Sequence, residues 1–367
     1  MSTLYIGVMS GTSLDGVDAV LADFSNGVRI FGHSNLPFDA PLRQTFLQLN
    51  QPGPDELHRA ALAGNALAQL YAQAVRQLLS QTGVAASDVA AIGAHGQTVR
   101  HQPGQHDGMG YTLQINQPAL LAELTAIRVV ADFRSRDIAA GGQGAPLVPA
   151  FHQHLFAETG RTVAVLNIGG ISNLSVLAPD RVSGFDCGPG NVLLDLWCQQ
   201  HTGQTFDKNG AWAAIGHCHP SLLDQLLSEP FLHYSPPKST GRDLFHANWL
   251  STQLQHFQGV SAVDVQATLT AFTAQVCVND IQRHAPDASR LLVCGGGAYN
   301  GQLMQLLQQG LPQLAVSSTE AVGLPPSQVE AAAFAWLAQQ TCLNLPGNLP
   351  AVTGALGPRV LGGIYAA

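Results

Sequence analysis

Short apolar runs separated by polar, glycine-bearing turns give the start of the chain a strand-like pattern. Residues 4–8 are apolar, residues 10–16 are polar with two glycines, and residues 17–24 are again mostly apolar. This pattern predicts a strand, a turn and a second strand. Helical spacing follows and ends at Gly83; its apolar positions are Leu57, Ala60, Ala61, Leu67, Leu70, Ala74 and Leu78.

The opening pattern returns in the second half of the chain. Residues 162–166 are apolar, residues 167–173 form a glycine-rich turn, and residues 174–177 are apolar again. The two units differ in sequence, so the repeat is weak, but it predicts two similarly built domains facing each other. We place these domains at 1–130 and 131–367, with the final helix either in the second domain or returned to the first.

Later elements define the fold class. A strand ends at residue 293, and helical patterns cover residues 264–285, 300–310 and 327–342. Strands and helices mixed in this order predict an α/β protein.

Composition narrows the class of protein further. Of 367 residues, 46% are hydrophobic and 11% charged, which predicts a large core rather than disorder. The net charge is −8 without a basic block, so no nucleic-acid partner is expected. The six cysteines form no C-x-x-C pair. Because neither a signal-peptide pattern nor a spanning apolar run occurs, we expect a soluble cytoplasmic enzyme without a membrane partner.

The turn GTSLDGVD, between the first two predicted strands, is the first candidate for chemistry. Glycines and short side chains leave backbone N–H groups free to face a phosphate, and Thr12 and Ser13 add hydroxyl donors. Asp15 and Asp18 are candidates to hold a hydrated Mg²⁺, an ion that keeps several of its waters. An ordinary hairpin turn explains the same residues, but the similar turn NIGGISN in the second half favours a nucleotide site.

Asp186, in FDCGPGN, is the candidate catalytic residue. We place it just after a strand ending at residue 185 and before a helix that follows Asn191. A carboxylate in that position can act as a general base. The alternative is a helix cap or Asx-turn, the commoner use of an aspartate before glycine and proline.

Three consecutive glycines, Gly295, Gly296 and Gly297, follow another predicted strand. A flat group such as adenine or ribose can lie against a backbone without side chains; a loop needing positive φ is the alternative. The segment does not fit G-x-G-x-x-G, and no P-loop occurs, since the Lys238–Ser239 pair lacks the preceding glycines. A Rossmann or P-loop enzyme is therefore not expected.

Polar residues past other strands are candidates for substrate binding. His95 and Gln97 follow a predicted strand, where ligands of α/β proteins bind. Arg134 and Arg136 are two of only 16 cations and suit a carboxylate, although surface pairing with neighbouring aspartates is the alternative. Glu330 either contacts a sugar hydroxyl or completes a capping box that starts at Ser327 and opens the last helix.

Ten blocks of the sequence resemble the signature blocks of the anhydro-N-acetylmuramic acid kinase family. They run from Met9 to Arg359, and MSGTSLDG and FDCGPGN are the longest and most specific. In chain order the blocks are MSGTSLDGVDAV, AHGQTVRH, QPALLAE, VVADFRSRD, AAGGQGAPLVPAFH, LNIGGISN, GFDCGPGN, KSTGR, VCGGGAYN and VTGALGPR.

The resemblance implies the fold of hexokinase, acetate kinase, actin and the heat-shock chaperone ATPase, with two ribonuclease-H-like domains flanking an ATP cleft. It implies an ATP- and Mg²⁺-dependent enzyme that opens 1,6-anhydro-N-acetylmuramic acid and phosphorylates O6 during peptidoglycan recycling. Asp186 would be the base, and His95, Gln97, Arg134, Arg136 and Glu330 would face the sugar. The implied ATP-binding residues are Gly11, Thr12, Ser13, Leu14, Asp15, Gly16, Val17, Asp18, Gly169, Gly170, Gly295, Gly296, Gly297 and Asn300.

Two departures from the family pattern lie near the presumed sugar side. Asn116 stands where glycine is expected, and the loop over residues 102–111 is longer than usual. Another sugar or acetate kinase, an actin- or chaperone-like ATPase module and a non-catalytic nucleotide-binding regulator are the alternatives. The partner is expected to be a small anhydrosugar, and a homodimer is left open.

Overall fold

The structure, a computed structural model, describes residues 3–11, 14–236, 238–241 and 244–367. The strands are β1 (Leu4–Met9), β2 (Gly16–Asp23), β3 (Arg29–Pro37), β4 (Val89–Ala94), β5 (Gln97–Pro103), β6 (Gly110–Ile115), β7 (Val129–Ala131), β8 (Thr162–Ile168), β9 (Ile171–Leu177), β10 (Val182–Pro189), β11 (Ala288–Cys294), β12 (Ala315–Ser318) and β13 (Gly363–Tyr365). The α-helices are α1 (Ala40–Leu49), α2 (Glu56–Thr82), α3 (Pro118–Thr125), α4 (Ser135–Ala139), α5 (Val148–Phe156), α6 (Val192–Thr202), α7 (Ala211–Ala214), α8 (Pro220–Leu227), α9 (Ala247–Gln253), α10 (Ala262–His284), α11 (Gly301–Gly310), α12 (Val329–Cys342) and α13 (Pro350–Thr353).

The chain divides into two compact units, which differ in extent from the domains that we placed from the sequence. The first unit comprises Met1–Leu155 and Gln328–Ala367, and the second comprises Phe156–Ser327. The first unit extends past residue 130 because β7, at that position, lies inside its sheet between β4 and β13.

A buried aspartate holds the segment after β7 in the first unit. Asp137 is 0% exposed, and its Oδ2 accepts the N–H of Gly144 at 2.8 Å. Its Oδ1 accepts Nδ2 of Asn348 at 2.6 Å and Oγ1 of Thr353 at 2.7 Å. Because a buried carboxylate without such donors is costly, this network ties residues before and after the second unit together.

The sheet of the first unit has the order β13-β7-β4-β1-β2-β3. Strands β1, β2 and β3 are antiparallel neighbours, β4 lies parallel to β1, and β7 lies parallel to β4. Helix α12 packs directly on this sheet, because a Cβ at Gly7 or Gly93 would collide with the carbonyl of Ala331 or Phe334. The small and apolar residues of α12 therefore complete the core of the first unit.

The sheet of the second unit repeats this design. Its order is β10-β9-β8-β11-β12, with three antiparallel strands followed by two parallel ones. This is the same order and direction as β3-β2-β1-β4-β7, and it is the arrangement expected of a ribonuclease-H-like domain. The predicted α/β class and the two similarly built halves are confirmed.

Helix α10 forms the centre of the second unit's packing. It is buried along most of its length and contacts α6, α8, α11 and β10. In the described part of the chain, no helix is long and apolar enough to cross a membrane.

Candidate active site

The turn between β1 and β2 buries its apolar side chains in the core of the first unit. Leu14 has a φ of 58° and its N–H donates to the carbonyl of Gly11 at 3.2 Å. The side chains of Leu14 and Val17 are 4% and 0% exposed and belong to the core. Gly16 lies against the Leu36 carbonyl, where a Cβ does not fit. Thr12 and Ser13 lie outside the described residues.

The side chains of Ser10 and Tyr71 hold the start of this turn through hydrogen bonds. Oγ of Ser10 lies 3.0 Å from the hydroxyl of Tyr71 and donates to the carbonyl of Gly96 at 3.1 Å. The Tyr71 hydroxyl also accepts the N–H of Gly96 at 3.2 Å. Burial raises the pKa of Tyr71, so its hydroxyl stays neutral and the tether does not titrate in the physiological range.

The two candidate metal-binding carboxylates have different surroundings. Asp15 is exposed at the turn. Asp18 lies on β2, where its Oδ1 accepts Nδ2 of Asn35 at 3.0 Å and contacts Nε2 of His33 at 2.8 Å. Asp15 therefore fits contact with Mg²⁺ through water. One oxygen of Asp18 is instead occupied by the side chains of His33 and Asn35 on the neighbouring strand β3. Over the described residues, no group of three or more histidines, cysteines or acidic residues gathers as a metal site.

His95, Gln97 and Arg134 lie near the turn between β1 and β2. Nε2 of His95 accepts from Nη2 and Nε of Arg134 at 2.9 and 3.2 Å, and Nε2 of Gln97 donates to the Gly11 carbonyl at 3.2 Å. Burial, followed by the Arg134 charge, holds the pKa of His95 well below its usual value. His95 is thus a neutral acceptor that orients the guanidinium.

Arg134 is anchored at both ends of its fork. Its Nη1 donates to the carbonyl of Gly144 at 2.8 Å. Burial lowers the pKa of Arg134 to about 10, and the charges of Glu330 and Asp137 oppose this shift. Arg134 remains charged at neutral pH and lies within the electrostatic reach of Glu330. Arg136, on α4, is exposed and is not part of this group.

The predicted capping box at the start of α12 is wrong. Gln328 is the N-cap residue and makes no capping bond through its side chain, and Glu330 stands at the second helical position instead of the third. A short 3₁₀ segment, Pro326–Gln328, precedes the helix and displaces its start by one residue. Glu330 is therefore not a capping residue of this kind, and its charge acts on Arg134.

Asp186 lies inside β10 rather than after a strand end, and it caps no helix. The register of β10 against β9 shifts between Asp186 and Gly188, so a bulge sits beside the carboxylate. Bulges re-aim neighbouring side chains and recur next to active sites. Helix α6 begins after Asn191, its N-cap residue, so the expected helix is present but the capping role is not.

The carboxylate of Asp186 is held through one oxygen. Its Oδ2 accepts the hydroxyl of Ser239 at 2.8 Å and the N–H of Thr240 at 3.0 Å. Among the described residues, no hydrogen bond reaches its Oδ1. Burial raises the pKa of Asp186, and the Thr240 N–H, the Ser239 hydroxyl and the Lys238 charge oppose it. A fixed carboxylate with one open oxygen and a raised pKa is suited to general-base catalysis.

The glycine-rich segments of the second unit converge. The amides of Gly190, Asn191 and Val192 donate to the carbonyls of Gly169 and Gly170 at 2.8–3.1 Å. A Cβ at Gly190 would collide with the Gly169 carbonyl. The turn between β8 and β9 is therefore fixed to the start of α6.

The glycines after β11 pack against the same turn. Gly295 has a φ of 78°, and a Cβ at Gly297 would collide with the side chain of Ile168. The side chain of Asn300 caps α11 by accepting the N–H of Leu303 at 3.0 Å. Gly169, Gly170, Gly295 and Gly296 are exposed or half-buried, whereas Gly297 is buried. They lie at the carboxyl ends of β8 and β11, the edge where α/β sheets bind ligands.

Sequence reasoning missed three residues of this site. Lys238, Ser239 and Thr240 stood out as a run that fails the P-loop pattern and as part of the block KSTGR, but they were given no role in the site. A lysine followed by two hydroxyl residues in a chain with 16 cations was the available signal. Their partner Asp186 is more than fifty positions away, so the contact itself had no signature.

Comparisons with known proteins show which family model and which relatives this chain matches. A family model described as "Anhydro-N-acetylmuramic acid kinase" matches residues 3–367. Proteins of that name are 61% identical in Variovorax paradoxus (strain S110), covering 99% of both chains, and 58% identical in Albidiferax ferrireducens, covering 100% of both. Among solved structures, a glucokinase of Streptomyces griseus in complex with glucose and AMPPNP matches with a TM-score of 0.42 and 13% identity, covering 92% of this chain and 99% of that chain.

Proposed function

The chain belongs to the anhydro-N-acetylmuramic acid kinase family, and from this we propose that it uses ATP and water to convert 1,6-anhydro-N-acetylmuramic acid into N-acetylmuramic acid 6-phosphate and ADP. The reaction serves peptidoglycan recycling, and we place it in the cytoplasm. The arrangement of Asp186 is the observation that carries the proposal.

Asp186 is the general base. A 1,6-anhydro sugar has no free 6-hydroxyl, so the bridge between C1 and O6 must open before O6 can be phosphorylated. The open Oδ1 of Asp186 takes a proton from a water molecule, and that water attacks C1. The C1–O6 bond breaks, O6 bonds to the γ-phosphorus, and the bond from that phosphorus to the bridging oxygen breaks to release ADP.

This route explains why one base suffices. A glycosidase needs a second carboxyl group to protonate its leaving oxygen. Here O6 leaves towards phosphorus, so the phosphoryl group takes the place of that proton. Phosphoryl transfer depends mostly on positioning and on neutralising charge.

Each of the two glycine-bearing turns can bind phosphate through its backbone. In the first unit the turn from Gly11 to Asp18 supplies backbone N–H groups, and in the second unit Gly169 and Gly170 do so. Gly295–Gly297 leave room for the adenosine. Mg²⁺, held by Asp15 through water, would neutralise phosphate charge. Asp18 is the weaker candidate because His33 and Asn35 engage one of its oxygens.

The sugar is bound by the polar group of the first unit. The lactyl ether of the substrate carries a carboxylate, which suits the guanidinium of Arg134. His95 holds that guanidinium in place, Gln97 lies beside the turn, and Glu330 offers a carboxylate to sugar hydroxyls. Arg136 belongs to this proposal only as an exposed outer contact.

Product analysis tests the proposal. The purified protein is incubated with ATP, Mg²⁺ and a panel of anhydrosugars with and without the lactyl ether, and products are read by mass spectrometry. We expect ADP and a product heavier than the lactyl anhydrosugar by one water and one phosphoryl group. A phosphorylated product without added water, or turnover of ordinary hexoses alone, would point to another sugar kinase. Sedimentation velocity in the same buffer tests for the homodimer.

A further inference from the structure

A lysine and an aspartate form an ion pair deep inside the second unit. Nζ of Lys238 lies 3.0 Å from Oδ2 of Asp280, and their side chains are 2% and 3% exposed. The ammonium also donates to the Leu232 carbonyl at 3.4 Å and lies 5.7 and 5.3 Å from the ring centroids of Phe185 and Phe231. Lysine is almost never buried unless it is paired, so this placement requires a reason.

The ion pair anchors the segment that holds Asp186. The carbonyl of Lys238 accepts the N–H of Asp186 at 3.1 Å, and the next two residues, Ser239 and Thr240, donate to its Oδ2. One short stretch of chain therefore fixes both the backbone and the carboxylate of the proposed base. Asp280 fixes that stretch in turn, from α10.

Stability alone is a weak explanation of the pair. Replacing a buried ion pair by apolar residues of similar size is often neutral or stabilising, because two charges no longer have to leave water. We propose that Lys238, held by Asp280, is a positioning residue that keeps Ser239 and Thr240 on Oδ2 of Asp186 and leaves Oδ1 open for the attacking water. This inference rests on the proposed role of Asp186 as the base.

The charge of Lys238 also acts on Asp186 directly. Burial raises the pKa of Asp186, and the Lys238 charge opposes that rise. Burial also raises the pKa of Cys187 and lowers that of His284, so both stay neutral near pH 7. The other titratable groups around the pair are Cys277, Arg283 and His284 on α10, Cys187 on β10, and Arg181 just before β10.

Two substitutions separate positioning from stability. The double variant Lys238→Met/Asp280→Leu removes both charges and keeps apolar bulk, so we expect it to fold with a melting temperature near that of the unmodified protein. Its kcat should fall about 10- to 100-fold, because the base is no longer held in register. The acid limb of kcat/KM should move to higher pH because, of the two charges removed, that of Lys238 is the one that lowers the pKa of Asp186. The KM for ATP should change little.

Asp280→Asn is the second variant. Asparagine keeps the shape and an oxygen acceptor for Lys238, but a buried ammonium without its counter-ion loses its proton more readily. We therefore expect kcat to fall and the acid limb to move to higher pH, as in the double variant. If the double variant fails to fold, as judged by circular dichroism, this measurement decides alone.

The outcomes are distinct from those that test the base itself. Folded variants with the unmodified kcat and an unmoved acid limb would overturn the positioning role, even if Asp186→Asn is inactive. An active Asp186→Asn would instead overturn the proposed function. An exposed lysine variant, Lys208→Met, is the control for loss of a positive charge elsewhere in the same unit.

Discussion

Replacing Asp186 with asparagine removes the proposed base while keeping its shape. The asparagine oxygen still accepts the hydroxyl of Ser239 and the N–H of Thr240, which now reach Oδ2 at 2.8 and 3.0 Å. The change therefore removes the ability to take a proton more than it alters the fold.

Loss of a general base lowers the rate about 10²- to 10⁴-fold. That range corresponds to about 2.7–5.4 kcal/mol of transition-state stabilisation. Stability should not fall. The folded pKa of Asp186 is raised, so the ionised carboxylate disfavours folding above its usual pKa, and a neutral amide removes that penalty. We expect a melting temperature equal to or above that of the unmodified protein.

The assay couples ADP release to NADH oxidation, with saturating ATP and anhydrosugar and with rates divided by the folded fraction. Binding of a non-hydrolysable ATP analogue is measured by calorimetry and should be retained. Asp224→Asn, at an exposed carboxylate of the same unit, is the matched control and should keep the full rate. A variant of Asp186 with a near-normal rate and a lower melting temperature would refute the catalytic role and leave only a structural one.

Two further predictions follow from the packing and the electrostatics. Gly190→Ala forces a Cβ into the Gly169 carbonyl, so we expect a loss of about 1–3 kcal/mol in the free energy of unfolding and weaker ATP binding, whereas Gly259→Ala, where a Cβ meets open space, should change neither. Burial lowers the pKa of His152 to about 3, so the unfolded chain binds a proton there below about pH 6.5 that the folded protein refuses. Stability is full above that pH and falls towards pH 3; by pH 5 this one residue costs about 2 kcal/mol. In urea titrations, His152→Asn should reduce the stability lost between pH 7 and 5 by about that amount, and an unchanged loss would contradict the buried neutral imidazole.

Local patterns in the sequence were sufficient to predict the first strands and turns of both units. The alternation of apolar runs with glycine-bearing turns predicted the β1–β2 and β8–β9 hairpins. It also predicted that the two halves of the chain are built alike. The position of α12 could not be predicted from its own residues, because the helix packs on the distant Gly7 and Gly93, where a Cβ would collide with its backbone.

The candidate site was predictable where chemistry is written in consecutive residues. Asp186 and the glycine turns carry their own signature, but the bulge that re-aims Asp186 arises from pairing with β9. The sequence did not predict that Lys238 is buried. A lysine is normally a surface residue, and its partner Asp280 lies on another element, far away in sequence. Residues 327–330 match a capping box in sequence, but the short 3₁₀ segment before α12 shifts the start of the helix, so the box does not form.

The route of the oxygen atoms tests the central proposal most directly. The reaction is run in water enriched with heavy oxygen, and the product is trapped promptly, before the anomeric oxygen exchanges with solvent. Water attack at C1, with O6 captured by the γ-phosphorus, predicts the label at C1 of the sugar phosphate and none in the phosphate ester or in ADP. Label in the phosphoryl group would mean that water attacks ATP, and the proposed mechanism would be contradicted.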